Sequence, residues 1–357
     1  MANHEFLEKL TLASGISGQE KEATNVMKEY LKDVVDEFQY DNLGSLVAIK
    51  KGTGTLKVLL TGHIDEIGFI VKDIDNNGYI RVQPIGGWMG KNLPSSLMEI
   101  TTKSGQKIRG VFGGSAPHGQ GQDARKLAPL PTEVYLDIGV LSKQEVIDAG
   151  VKIGDPIVPV SEFSMMTNPK CLMSKAWDDR VGVAVICEVL KKLAGIKTNA
   201  SIYAAGTVQE EVGLRGAKTV GQMIQPDIAI AIDVCFSKDL PDGDLGDVKL
   251  ECGAVLGVLD GSVIAHTGLL KHIESICERL EIPYQLDVLS GGGTDSGELS
   301  KVNAGVVNMT LSIPSRYMHS HRTIIYEDDL DATVQLLTEF VKTLDEEVFE
   351  EIKKDKQ

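Results

Sequence analysis

The side chains best able to do chemistry stand at the ends of apolar runs. His63 and Asp65 close the segment Leu59-Leu60-Thr61-Gly62-His63-Ile64-Asp65-Glu66-Ile67-Gly68, where side chains two apart in a strand share a face. An imidazole beside a carboxylate suits a metal ligand whose tautomer is fixed by a partner; a core histidine bonded within a strand is the plainer alternative. Asp178 and Asp179, in Lys175-Ala176-Trp177-Asp178-Asp179-Arg180, open an apolar helix, a place where acids also serve as ordinary caps. Glu210 and Glu211 follow an apolar strand in Ala205-Gly206-Thr207-Val208-Gln209-Glu210-Glu211-Val212-Gly213. Adjacent residues point apart, so one carboxylate can bind a cation while its neighbour acts as a general base; a solvated loop would also hold both. Asp233 ends the run Ile228-Ala229-Ile230-Ala231-Ile232, where an acid is costly unless paired or ligated, or else shapes a turn. His319 and His321 lie in Ser315-Arg316-Tyr317-Met318-His319-Ser320-His321, after the glycine-rich Gly291-Gly292-Gly293-Thr294-Asp295-Ser296; surface loop residues would read the same way.

Singly these signals are weak. Jointly they supply ligands for two divalent cations plus a base, all at expected strand ends of one α/β domain. Nitrogen and oxygen donors without cysteine suit zinc, cobalt or manganese. Other chemistry fits less well. The chain holds no Gly-x-Ser-x-Gly elbow and no complete Gly-x-Gly-x-x-Gly fingerprint at a strand–helix turn, and no Gly-Lys-Ser/Thr follows the glycine-rich loop.

The elements that must position these groups are legible as periodicities. Ala23, Val26, Met27, Tyr30, Leu31, Val34, Val35 and Phe38 predict one long amphipathic helix, with Ser17 and Glu20 as a capping box at its start. Leu330, Val334, Leu337, Val341, Leu344 and Val348 predict another at the end, behind the acidic turn Glu327-Asp328-Asp329. Strands are expected over residues 45–50, 57–64, 201–207, 227–234, 254–259, 284–289 and 306–313, and helices over 179–193, 216–224 and 269–280. Such alternation indicates a layered α/β domain with sites at strand carboxyl ends. Residues 69–159 differ, with strands at 79–84, 97–102, 107–111 and 133–138 and one short helix at 142–149. Turns fall at Asn76-Asn77-Gly78 and Ser104-Gly105, and Pro and Gly crowd residues 113–131. The expected organisation is a small β-rich domain, 69–159, inserted into an α/β domain built from 1–68 and 160–357.

Composition narrows the function. The 357 residues carry 36 Lys+Arg against 51 Asp+Glu, a net charge of −15, so nucleic acid and anionic membrane surfaces would meet repulsion. No apolar stretch approaches the roughly 18 residues of a membrane span, and no signal peptide is evident. Five cysteines, none at C-x-x-C spacing, suit a reducing compartment. The expectation is a cytoplasmic enzyme with neither nucleic-acid nor membrane partners.

The ordered motifs Gly62-His63-Ile64-Asp65-Glu66-Ile67-Gly68, Lys175-Ala176-Trp177-Asp178-Asp179-Arg180, Val208-Gln209-Glu210-Glu211-Val212-Gly213, Asp233, the 291–297 loop and Arg316-Tyr317-Met318-His319-Ser320 together resemble the M42 metallo-aminopeptidases. This is the glutamyl- and tetrahedral-aminopeptidase group, also labelled endoglucanase M, and the resemblance spans essentially the whole chain. It implies a mixed-sheet, zinc-peptidase-like α/β catalytic domain with a PDZ-like insertion that mediates dimerisation, and assembly of twelve subunits into a tetrahedral particle. It implies His63 and Asp233 as terminal ligands of one metal, Glu211 and His319 of the other, and Asp178 as the bridge. Glu210 would be the general base and Asp65 would orient His63, while His321 and Asp179 are not ligands. The implied substrates are short peptides cut at the N-terminal residue. A pocket for Glu or Asp side chains needs a buried cation, and Ala254-Val255-Leu256-Gly257-Val258-Leu259 has none, which favours neutral or broad over glutamyl specificity. A glycoside hydrolase or a non-catalytic scaffold is the alternative, and neither requires two metals.

Overall fold

The computed structural model describes residues 3–114, 127–241 and 246–356. Runs such as Lys57–His63 and Ile228–Phe236 are apolar almost throughout and are buried along their length, which requires cover on both faces. They receive it. Val58 and Leu60 enter one apolar cluster with Val181, Val185 and Leu337, whereas Leu59 enters a second with Ala217, Val220 and Leu299. Alternate side chains therefore feed opposite helical layers. The helices Trp177–Lys192 and Glu327–Thr343 cover the first face, and Arg215–Ile224 covers the second.

Across the sheet the strands run Glu37–Tyr40, Leu46–Lys50, Ser201–Thr207, Lys57–His63, Ile228–Phe236, Val307–Arg316, Thr323–Tyr326, Cys171–Ser174 and Ser164–Met165. Ala254–Leu259 pairs with Val307–Arg316 and carries Tyr284–Val288 outside it. The sheet is mixed, but the four strands from Ser201–Thr207 to Val307–Arg316 are mutually parallel. Their carboxyl ends share one edge. A second sheet closes into a barrel of six strands in the order Gly68–Ile74, Ile80–Ile85, Tyr135–Asp137, Lys107–Phe112, Leu97–Thr101 and Pro156–Pro159. Its apolar interior, with Phe69, Val82, Phe112 and Ile157, is separate from the clusters of the large sheet. Hairpins form at Asn76-Asn77-Gly78 and at Ser104-Gly105. The Pro/Gly-crowded stretch falls largely on residues 115–126, outside the described residues.

Several expectations need correction. The helix from Ala23 does not reach Phe38; it spans Lys21–Leu31, and Phe38 sits in Glu37–Tyr40 opposite Ala48. Val34, Val35 and Phe38 still pack on the same core, so the burial pattern was that of a helix while pairing with Leu46–Lys50 imposed an extended backbone. Ser17 does not cap that helix: its hydroxyl donates to Asp65 Oδ2 at 2.6 Å. The final helix is two, Glu327–Thr343 and Glu346–Lys354, divided where Asp345 turns extended and caps the second by accepting from Val348 N at 2.9 Å. An unanticipated first helix, His4–Leu12, buries Phe6, Leu7 and Leu10 behind an Asn3 cap. Among the described residues no helix is long and apolar enough to cross a membrane.

Gly62 shows how tightly the layers meet. A Cβ there would lie 2.5 Å from Val183 N and 2.6 Å from Gly182 C, in the backbone of the covering helix. Gly62→Ala is expected to cost about 1–3 kcal/mol by forcing strand and helix apart. Urea unfolding checks it, and an unchanged midpoint would show that the helix can yield.

Candidate metal centre

Parallel pairing places the groups. Thr207 lies opposite His63, so the loop after Thr207 and the end of the histidine strand emerge together. Asp233 and Ser312 are likewise opposite, and the chain beyond Arg316 turns back to present His319. Asp178 arrives at the amino end of the helix that covers His63. Non-glycine residues in the left-handed region, Ala176, Gln209, Tyr317 and His319, cluster at these junctions, as sharp redirections of the chain at functional sites often demand.

His63 Nδ1 contacts the carbonyl oxygen of Asp65 at 3.1 Å. A carbonyl only accepts, so Nδ1 carries the proton and Nε2 is left to face the centre. His319 repeats the device, donating from Nδ1 to Gly87 O at 2.7 Å. The two Nε2 atoms then meet one carboxylate: Asp178 Oδ1 is 2.9 Å from His63 Nε2, and Asp178 Oδ2 is 3.2 Å from His319 Nε2. Glu211 Oε1 lies 3.8 Å from His319 Nε2, and Glu210 Oε2 lies 3.9 Å from His63 Nε2. The donor atoms of His63, Asp178 and Glu211 fall within 4.8 Å of one another, as do those of His63, Glu210 and Asp233. The seven residues to which the resemblance gives a role, His63, Asp65, Asp178, Glu210, Glu211, Asp233 and His319, thus converge.

The electrostatics call for cations. Asp178, Glu210, Glu211 and Asp233 share one largely buried space. Burial, followed by the charges of Asp233 and Asp295, holds the Glu210 carboxyl well above the ordinary range, and burial with the Asp178 charge raises Asp233 likewise. Burial and the Asp178 charge push Glu211 up to about 8. Burial opposes the imidazolium of His63, but Glu210, Asp178 and Asp65 outweigh it and raise its pKa well above the usual value. The hydrogen bond that His319 donates to Asp178, joined by the Glu211 charge, lifts its pKa to about 10. Asp178 runs the other way: burial would raise it, but bonds from His319 and His63 hold it below the ordinary range. Protons and imidazolium charge are thus shared among groups that divalent cations would neutralise better. Glu211 Oε1, buried and without a hydrogen-bond partner among the described residues, fits such a cation.

The surrounding shell joins Asp65 to groups given no role from sequence. The Asp65 carboxylate does not make the closest contact to His63: its Oδ1 is 3.5 Å from Nδ1, and it accepts from Glu210 N at 3.0 Å, Glu211 N at 3.2 Å and Ser17 Oγ. Asp179 is fully buried and accepts from His63 N and Gly182 N, each at 2.9 Å. Asp295, raised by burial to about 6, accepts from Thr207 Oγ1 at 2.5 Å. Beneath these, Lys175 Nζ clasps both Glu66 oxygens at 2.5 and 2.7 Å, and Arg180 donates to Leu10 O and Ala13 O. Charged residues embedded in apolar sequence were the available signal, since burial demands partners for them. His321 does not join the centre; it lines a separate cleft with Asn92 and Ser161.

A family model for the M42 glutamyl aminopeptidases matches residues 44–336. The chain belongs to the M42 peptidase family. The glutamyl aminopeptidase of Lactococcus lactis is 31% identical, over 97% of this chain and 98% of its own. Among solved structures, the TET aminopeptidase of the marine sediment archaeon Thaumarchaeota archaeon SCGC AB-539-E09 is 36% identical with a TM-score of 0.94, covering 98% of this chain and 99% of that one. The Pyrococcus horikoshii TET1 peptidase, described as assembling into a tetrahedron or a large octahedral shell, is 32% identical with a TM-score of 0.86, covering 95% and 99%. The M42 chain described here is a peptide hydrolase with a TET-aminopeptidase-like fold, and its acid–histidine clusters could hold metal.

Because the Glu211 carboxyl, at about 8, is protonated at pH 7 in the cation-free protein, binding a cation must expel that proton. Affinity for Mn²⁺ or Zn²⁺ should therefore rise with pH through about 8 and on toward about 10, where His319 also gives up its proton, with proton release near neutrality. Calorimetric titration at several pH values in buffers of different ionisation enthalpy checks this; a pH-independent affinity would contradict it.

Proposed function

We propose that this M42 protein is a dimetal aminopeptidase that removes N-terminal residues from short peptides. The observation that carries the reading is the Asp178 carboxylate, whose two oxygens address His63 Nε2 and His319 Nε2 separately, the disposition expected of a bridge. His63 and Asp233 would complete one cation site and Glu211 and His319 the other, with zinc, cobalt or manganese suited to these donors. Bound there, two divalent cations would supply Lewis-acid polarisation of the peptide carbonyl and lower the pKa of an attacking water.

The chain's own residues do the rest. Glu210 opens onto a cavity of about 140 Å³ that also exposes Asp178, Asp233 and His319. Its place on the cavity wall, beside Asp178, Asp233 and His319, suits a carboxylate that takes a proton from water and returns it to the departing amine. Asp65, through its bonds to Glu210 N and Glu211 N, acts as a positioning residue for that base and its neighbour while its carbonyl orients His63. The concentrated carboxylates favour a substrate's free α-ammonium, which matches removal of a terminal residue. A two-carboxylate sugar hydrolysis would leave both histidines without a role.

The reading includes a division of labour between two domains, 1–68 with 160–357 carrying the centre and the barrel of 69–159 as a PDZ-like dimerisation unit. The barrel's separate interior and its exposed Leu141 and Ile153 support it. Assembly toward a tetrahedral dodecamer is supported by the P. horikoshii relative's described shells. Light scattering of the purified protein should give a mass near twelve subunits or a dimer; a monomer at micromolar concentration would remove this part.

Glu210→Gln should keep both cations, by elemental analysis, yet lose roughly 10²–10⁴-fold in kcat on aminoacyl p-nitroanilides. Chelation should abolish wild-type turnover and added cation restore it. Near-wild-type activity in the variant, or insensitivity to chelation, would refute the mechanism.

A further inference from the structure

Beside the proposed centre the cavity continues into a smaller recess. Val234, Asp260, Leu289 and Thr294 line both spaces, so a group entering the recess remains in contact with the cavity that holds Glu210 and Asp233. The recess adds Leu259 and Asp287 to its walls. Aliphatic sides with carboxylates among them suit a long methylene stem that ends in a charge.

The two acids differ in what they still lack. Asp260 Oδ1 accepts from Ser262 N at 2.6 Å, Ser262 Oγ at 2.7 Å and Val263 N at 2.9 Å. Asp260 Oδ2 has a single long bond from Thr294 Oγ1, at 3.3 Å. Asp287 is 4% exposed; its Oδ1 takes Lys238 Nζ at 2.9 Å, while Oδ2 has no hydrogen-bond partner among the described residues. Lys238 balances one carboxylate and leaves the other uncompensated. The recess thus presents acceptors in want of donors and one net negative charge.

We infer that the first side chain of the peptide runs from the cavity, of about 140 Å³, into this recess, of about 30 Å³, which takes its tip, and that Asp260 and Asp287 select a basic one, lysine or arginine. The inference rests on the aminopeptidase reading and deepens it. An ammonium or guanidinium brings the donors that Asp287 Oδ2 and Asp260 Oδ2 lack and cancels the surplus charge. A neutral aliphatic chain would leave both as they are, and a glutamate would set a third carboxylate against two. Ala254–Leu259 offers no cation for an acidic side chain, and that says nothing about these oxygens. They come from the residue just beyond that strand and from its parallel neighbour Tyr284–Val288.

The test is kcat/KM of the cation-loaded wild-type protein on lysyl, arginyl, norleucyl, leucyl and glutamyl p-nitroanilides. Norleucine matches the lysine stem without its charge. Lysyl and arginyl values at least tenfold above norleucyl are expected, with glutamyl lowest. Asp287→Asn should shrink the lysyl-to-norleucyl ratio at least fivefold. Norleucyl or leucyl rates equal to or above lysyl, or a glutamyl preference, would overturn the inference while leaving the aminopeptidase intact. Hydrolysis of none of the five would take down both readings. The wild-type ratio decides even if the variant fails to fold, and an unchanged ratio in a folded Asp287→Asn protein would overturn the role of Asp287.

Discussion

Four carboxylates and two imidazoles gathered in one poorly hydrated space repel and desolvate one another unless positive charge is shared among them. Almost every unusual feature near the edge of the large sheet follows from that constraint. The raised carboxyl groups of Glu210, Glu211 and Asp233, the lifted imidazoles, and the depressed Asp178 are one balance seen from several sides. In a single residue the same pressure would be relieved by a proton. Spread over six, it creates a site that a multivalent cation could occupy.

Holding such a group together takes support from outside it. Asp65 and Asp179 accept backbone N–H bonds at Glu210, Glu211 and His63, so the loops that carry the proposed ligands are fixed by acids that need not themselves meet a cation. Glu66, Lys175 and Arg180 form a second buried layer that ties the start of the chain to both the histidine strand and the Asp178 helix. A buried ion pair adds little net stability, but losing one partner is costly, and that asymmetry keeps these segments in register. The barrel takes part as well: the carbonyl of Gly87, just beyond its strand Ile80–Ile85, receives the Nδ1 proton of His319.

The recess beside the centre shows the same logic at lower intensity. Asp260 is held by its own turn, and Asp287 is half satisfied by Lys238. Where the proposed metal ligands want cations from solution, these two oxygens want donors from a substrate. Catalysis and selection would then draw on one property of this acidic chain, carboxylates placed where water cannot fully solvate them.

What could be read from the amino acids alone was whatever depends on local order along the chain. Burial periodicity gave the central strands and the covering helices nearly to the residue, as in Ser201–Thr207 and Ala254–Leu259, because alternation and helical spacing are short-range patterns. Acids and histidines closing apolar runs marked the candidate ligands, because burial makes such residues conspicuous. Tertiary structure alone decided the rest. Phe38 went into an edge strand because a partner strand was there to pair with it. Ser17 turned from the helix it precedes toward a carboxylate 48 positions away. Asp295, Asp287 and Gly87 acquired meaning only from neighbours distant in sequence. Hydrogen bonds and charges act through space, and which residues share that space is a property of the folded chain rather than of its order.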